Sequence, residues 1–253
     1  TLAGTVLSTI VFLFFGLQKY NIKFHFSLTE IKSFMRIGLY NTGGQIINFI
    51  NKETDIFLIG IFYGIELLGV YSLAKQLVYK PILIINPILT KISIPIFSKM
   101  QNSDNNLKLN YLRLINMISS IGIPLYILIF IFSNQIVNLF YGNNFIDAVP
   151  FTKYLSIYMI FIMLRNPMGN LTIASGRTDL EFYWSLFTFI FMPSAIIVGS
   201  FFSINFVILL MIIVMVTLFI PMWKFVINQI ISVNLQDYIK AHIPFYFLFS
   251  RDN

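Results

Sequence analysis

From Leu28 to Ile231 the chain is a series of apolar stretches, each long enough to cross a lipid bilayer, joined by short polar connections. A membrane-spanning helix needs about 20 mostly apolar residues. The bilayer core offers no water to backbone N–H and C=O groups, so a segment that crosses it alone must satisfy them as a helix. The stretches cover about 28–63, 67–98, 107–132, 149–174, 180–202 and 205–231. Between them lie the break Gly64-Ile-Glu66, the loop Gln101–Asn106, the mixed segment Ser133–Asp147 and the turn Ser175–Asp179. Ser27-Leu-Thr-Glu30 has capping-box spacing ahead of the first stretch. The predicted fold is an all-α polytopic transmembrane helix bundle with about six complete spans plus two truncated ones, at residues 1–17 and from Asp237 onward. Composition agrees: 11% of the residues are charged and 57% hydrophobic, whereas soluble chains carry about 25% charged residues.

Lys and Arg fall in alternate connections. They are Lys19, Lys23, Lys32 and Arg36 around the first loop, then Lys99, Lys108 and Arg113, then Arg177, then Lys240. The Gly64 break, the 133–147 segment and the 202–205 turn hold none. The positive-inside rule therefore places the Lys19, Lys99, Arg177 and Lys240 connections in the cytoplasm. Topology thus accounts for the net charge of +7, and no basic run points to nucleic acid. Thr1 opens directly into the apolar run Leu2–Leu17 without a charged n-region, so this run does not read as a signal peptide. A second apolar run, Ile243–Phe249, lies close to the other end. The chain is expected to be an internal fragment of a larger transporter-like protein.

Polar residues inside spans are the candidate functional groups, because a charge at the bilayer centre costs about 2.5–3.5 kcal/mol or more. In the first stretch Asn41, Gln45, Asn48, Lys52 and Asp55 follow steps of four, three, four and three, one face of a helix. Interhelical hydrogen bonding, helped by Gly43-Gly44, accounts for the amides equally well. Lys52 and Asp55 have the spacing of a local ion pair. In the second stretch Lys75, Tyr79, Asn86, Thr90 and Ser93 share a face. Lys75 and Lys80 have no carboxylate in their own span and must pair with another helix or hold an anion. Lys91 and Lys153 lie near span ends, where snorkelling explains them. Arg165 sits within its span, with Tyr154 and Tyr158 on a similar face and Pro167 two residues on.

Enzyme signatures are lacking. There is no Cys, the two His (His25, His242) stand at loop positions, and no phosphate-binding loop or facing carboxylate pair occurs. No catalytic residue, metal site or cofactor is expected.

The stretch Asn48-Phe-Ile-Asn-Lys-Glu-Thr-Asp55-Ile-Phe-Leu-Ile-Gly60, with Leu68-Gly-Val-Tyr71-Ser-Leu-Ala74, resembles the seventh and eighth helices of Wzx-type polysaccharide flippases. Asn86-Pro-Ile-Leu-Thr90 leading into Ile94-Pro-Ile-Phe-Ser98 is similar to the same family. So is Arg165-Asn-Pro167-Met-Gly169 with Ser175-Gly-Arg177-Thr-Asp179. The likeness covers about residues 20–235. It points to the lipopolysaccharide, O-antigen and colanic-acid exporters of the multidrug/oligosaccharidyl-lipid/polysaccharide superfamily. The family commonly has a Lys directly after the residue matching Asp55; here Ile56 stands there, with Lys52 one turn earlier.

The resemblance implies two helical lobes around a central cavity with alternating access. Residues 1–17 would end the last helix of the N-terminal lobe, 18–27 would be a cytoplasmic loop, and 28–253 would form a truncated C-terminal lobe. The implied substrate is an undecaprenyl-diphosphate-linked oligosaccharide, moved across the inner (cytoplasmic) membrane. The implied partners are membrane lipid, a polysaccharide polymerase and glycosyltransferases. A lipid diphosphate is a strong anion that Lys or Arg in a partly dehydrated cavity would hold. Lys75, Lys80 and Arg165 are the candidate cationic lining, with Lys52 a fourth. Asn48, Asn86, Tyr79 and Tyr158 are candidates for sugar hydroxyls, and Asp55 for ion or proton coupling. Two alternatives stand beside this reading: a multidrug cation antiporter of the same superfamily, whose cavity would need net negative charge, and a non-catalytic membrane scaffold.

Overall fold

The computed structural model describes Thr9, Val11 and residues 28–101 and 103–249. The expectations for residues 1–17 (Thr9 and Val11, both helical, apart), the 18–27 loop and the Ser27 cap lie outside these residues. The chain divides into a unit of Thr1–Arg36 and a unit of Ile37–Asn253. In the first, Lys32 and Arg36 are exposed; the second holds the helix bundle.

Among the described residues every regular element is helical. They are α1 (Leu28–Met100), α2 (Asp104–Ile131), α3 (Ser133–Tyr141), α4 (Ala148–Ala174), α5 (Thr178–Ser200) and α6 (Ile204–Met222). A 3-10 turn, Asn143–Phe145, precedes α4; a π-helical turn, Trp223–Ile227, and a last turn, Asn228–Ile230, prolong α6; α7 (Leu235–Ala241) and α8 (Tyr246–Phe249) come after them. Five helices among the described residues are long and apolar enough to cross a membrane, so the protein is a multi-pass membrane protein.

The first of the five crosses twice. Gly64 has φ 80° and ψ 177°, outside any helical region and open to glycine because it lacks Cβ. A straight α1 would hold residues 55 and 75 about 30 Å apart, at about 1.5 Å per residue. Instead Lys75 Nζ lies 2.7 Å from Asp55 Oδ1, and Leu68 packs at Gly60. Within the second unit the chain folds back at Gly64 into two antiparallel limbs, 37–63 and 65–100. The break expected from Gly64-Ile-Glu66 is therefore a hairpin tip, and among the described residues the crossings number six.

α4 is the bundle's central post. Lipid gives apolar helices no hydrophobic reason to associate, so close packing and interhelical hydrogen bonds must hold them together. Asn166 donates to Asn86 Oδ1 at 2.7 Å. Thr90 donates to Asn170 Oδ1 at 3.2 Å, and Asn170 donates to Ser93 at 2.8 Å. The first two pairs share one sequence offset, so α4 runs parallel to the second limb of α1 in fixed register. Tyr126 of α2 ties that helix to the same limb of α1 by donating to Val78 O at 3.1 Å.

Two elements depart from the sequence reading. Within 133–147, residues Ser133–Tyr141 form an amphipathic helix, with Ser133 and Val137 buried and Leu139 and Phe140 exposed. The last span expected from Asp237 onward is interrupted. α7 ends at Ala241, and Phe245 takes φ 61° directly after Pro244, which lacks the donor to continue a helix.

His242 closes that segment. Its Nδ1 donates to Tyr238 O at 2.7 Å, and its ring meets Tyr238 and Phe219 edge-on. Nε2 is buried without a partner. Burial pushes its pKa down to about 4, against the hydrogen bond to the Tyr238 backbone, which raises it. The unfolded segment thus binds a proton below about pH 6.5 that the folded one refuses, so stability is full above that pH and falls toward pH 4. Amide exchange across 235–247 should accelerate over that window beyond its intrinsic pH dependence, and His242→Phe should flatten the response. An unchanged response in the variant would assign it to other groups.

Candidate functional site

A cavity of about 470 Å³ opens between α1, α4, α5 and α6. Its polar wall is built by the face predicted on the first limb of α1. Gln45, Asn48, Lys52 and Asp55 line it, joined by Asn51 from the edge of that face. The second limb adds Lys75 and Tyr79; α4 adds Tyr158, Arg165 and Asn166. Glu181 and Thr188 come from α5, and Met159, Met192 and Met215 supply the apolar part.

At its floor lies a buried ion pair. Lys75 and Asp55 are 8% and 4% exposed in their side chains, with Nζ to Oδ1 at 2.7 Å. Tyr71 donates to Asp55 Oδ2 at 2.5 Å. The Lys75 ammonium also donates to Lys52 O at 2.6 Å, the carbonyl that α-helical spacing would assign to the N–H of Ile56. That N–H reaches Asp55 Oδ1 at 2.8 Å. Both charges are thus ringed by hydrogen-bonding groups, which is what a buried pair requires. The local Lys52–Asp55 pair expected from spacing does not form, because Asp55 is taken by Lys75 across the hairpin. Lys75 in turn is no free cation. Lys52 pairs with Glu53 at 3.5 Å, both partly exposed, and its Nζ stands 4.4 Å over the Tyr79 ring.

Arg165 is different. Among the described residues it has no ion pair, and it faces the cavity beside Tyr158 and Asn166. Glu181, from α5, also lines the cavity, its carboxylate held by Thr172 Oγ1 at 2.9 Å and packed at Gly169 on the Arg165 helix. Asn48 and Asn51 tie the first limb to α5. Ser185 Oγ donates to Asn48 Oδ1 at 3.1 Å; Asn51 Nδ2 donates to Ser185 O at 3.1 Å and Thr188 Oγ1 at 3.3 Å. Asn51 Oδ1 is buried and unpartnered.

Of the nine predicted site residues, the cavity gathers Asn48, Lys52, Asp55, Lys75, Tyr79, Tyr158 and Arg165. Lys80 and Asn86 are elsewhere. Lys80 is exposed on another face of α1, 5.6 Å over the Phe140 ring. Asn86 is held by Asn166 behind the cavity wall. Sequence reasoning missed Glu181 and Thr188. An acidic residue in the first turn of a helix is ordinary, since it suits the helix dipole, so Glu181 carried no signal. Among the described residues no cluster of His, Cys, Asp or Glu has a metal-binding arrangement.

Residues 1–150 match the model of a family described as polysaccharide biosynthesis protein. The chain is similar to the teichuronic acid biosynthesis protein TuaB of Bacillus subtilis (strain 168), 32% identical over 228 residues, 88% of this chain and 46% of that one. It is similar to the lipopolysaccharide biosynthesis protein WzxC of Escherichia coli (strain K12), 29% identical over 200 residues, 79% and 41% of the two chains. It is similar also to the amylovoran biosynthesis protein AmsL of Erwinia amylovora, 34% identical over 178 residues, 69% and 45%. The chain spans a little under half the length of these curated relatives. No solved structure gives a significant match.

Proposed function

Since this chain belongs to the polysaccharide biosynthesis protein family, we propose that it is part of a flippase for lipid-linked oligosaccharides. The substrate would be an undecaprenyl-diphosphate-linked unit, carried across the cytoplasmic membrane by alternating access. Glycosyltransferases would act before it and a polymerase after it. The relatives' names, which concern the biosynthesis of teichuronic acid, lipopolysaccharide and amylovoran, support the class of cargo. The observation that carries the reading is Arg165, a cation without an ion pair among the described residues, facing a cavity inside the membrane-spanning bundle.

In this proposal Arg165 binds the diphosphate and Lys52, at the exposed rim, assists. Asn48, Tyr79 and Tyr158 face the sugar. The Asp55–Lys75 pair is the coupling element, because a buried pair that opens in one state and closes in the other has two distinct energies for an ion or proton to bias. Lys80 and Asn86 have no part in it.

Arg165→Gln in the full-length protein should cut surface polysaccharide at least about tenfold at normal protein level. A lost hydrogen bond to a charged group is worth about 1.5–3 kcal/mol. Normal export by that variant would overturn the proposal. Glu181, whose described partner is a hydroxyl, favours a second reading, export of organic cations. There Glu181→Gln would abolish drug resistance while Arg165→Gln would leave it intact.

A further inference from the structure

The second limb of α1 separates the cavity from another recess. Nine residues from Lys75 to Ile84 turn the helix through about two and a half turns, at 3.6 residues per turn, so the two point to opposite sides. On the Ile84 side, Leu77, Pro81 and Ile84 form a groove with Leu125 and Ile129 of α2 and Phe140 of α3. Its volume is about 440 Å³, and every lining side chain except Lys80 is apolar. Ile84 is 68% exposed and Phe140 62%.

Lys80 makes this more than a lipid-facing surface. It has no ion pair among the described residues, and no carboxylate lines the groove. Its described contact is the Phe140 ring, 5.6 Å from Nζ. The wall beside it, α3, carries no charge of its own, and Leu139 is 81% exposed. A lone cation above an apolar trough in a membrane-spanning bundle matches a molecule with a phosphate at one end and hydrocarbon at the other.

We infer that this groove is a binding site for an anionic glycerophospholipid. Its phosphate would engage Lys80, and one acyl chain would lie along Leu77, Pro81 and Ile84. Charge complementarity decides the headgroup, since a zwitterionic lipid brings no net charge to offset an ammonium held within the membrane. The inference is independent of what the cavity on the other side carries.

Native mass spectrometry of the full-length protein, titrated with phosphatidylglycerol or phosphatidylcholine of identical chains, tests this directly. The wild type should retain phosphatidylglycerol preferentially, and Lys80→Gln should lose that preference by about fivefold, the worth of one basic residue near an anionic lipid. Ile84→Trp, which fills the trough, should weaken both lipids. A wild type indifferent to headgroup, or a Lys80→Gln variant that keeps its preference, would overturn the assignment. An equal loss in Arg165→Gln would overturn it too, by moving the site to the cavity. Protection of a cysteine placed at 84 from a membrane-soluble maleimide, in lipid-stripped protein, would do the same, because another part of the full-length chain would then cover the groove.

Discussion

Lys75→Met should be the most damaging single change in the bundle, lowering stability by about 3–5 kcal/mol, the cost of leaving one partner of a buried ion pair alone. The residue keeps its volume and loses its charge, so packing is spared. What remains is the Asp55 carboxylate, 4% exposed in its side chain, with Tyr71 as its described side-chain donor. Lys52 O also loses the ammonium that bonds it. Lys52 cannot step in, because its Nζ lies over the Tyr79 ring and beside Glu53. Asp55→Leu in the Lys75→Met background should recover much of the loss, since replacing both charges by apolar groups is often neutral or better. The measurement is thermal unfolding of the purified full-length protein across the four members of a double-mutant cycle. Independent, additive effects would mean the two groups are not coupled. If the proposed coupling role holds, the stable double variant folds and still fails to export.

The second large effect concerns how closely α5 and α6 approach. A Cβ on Gly199 would stand 2.7 Å from Val207 Cα and 3.1 Å from its N. These are backbone atoms, so Gly199→Ala can be accommodated only by moving one helix away from the other near the tight turn 201–203. Overpacking of this kind costs about 1–3 kcal/mol. In lipid that approach is itself the source of association. Gly122→Ala is the control. Its Cβ would collide with Met163 Sδ and Cε, the far end of a flexible chain that can swing aside. Unfolding temperatures should therefore fall clearly for Gly199→Ala and much less for Gly122→Ala. Equal losses would mean that Met163 is as fixed as backbone; no loss at Gly199 would mean that the two helices can separate without penalty.

The spans were legible because their signal is local. Twenty apolar residues in a row have one way to satisfy their backbone in lipid, and neither a neighbour nor a partner is needed to see it. Gly64 was legible as a break for the same reason. The polar face from Gln45 to Asp55 was legible because helical periodicity alone puts those residues on one side. Arg165 could be picked out from the cost of burying it.

The partners of those charges were not legible. Asp55 has Lys52 three residues away in sequence and Lys75 twenty away, and spacing favours the first. The hairpin at Gly64 reverses that preference, because it lays the second limb against the first and brings Lys75 Nζ to 2.7 Å. Lys80 shares a helix with Lys75 on a different face, and the packing of α2 and α3 decides that this face meets an apolar groove while Lys75 faces the cavity. Glu181 enters the cavity through its packing at Gly169. Sequence thus determined how many times the described residues cross the membrane and which of them resist being there. Tertiary structure decided which of them cancel and which stay free, because charges interact over a few ångströms in space whatever their distance along the chain.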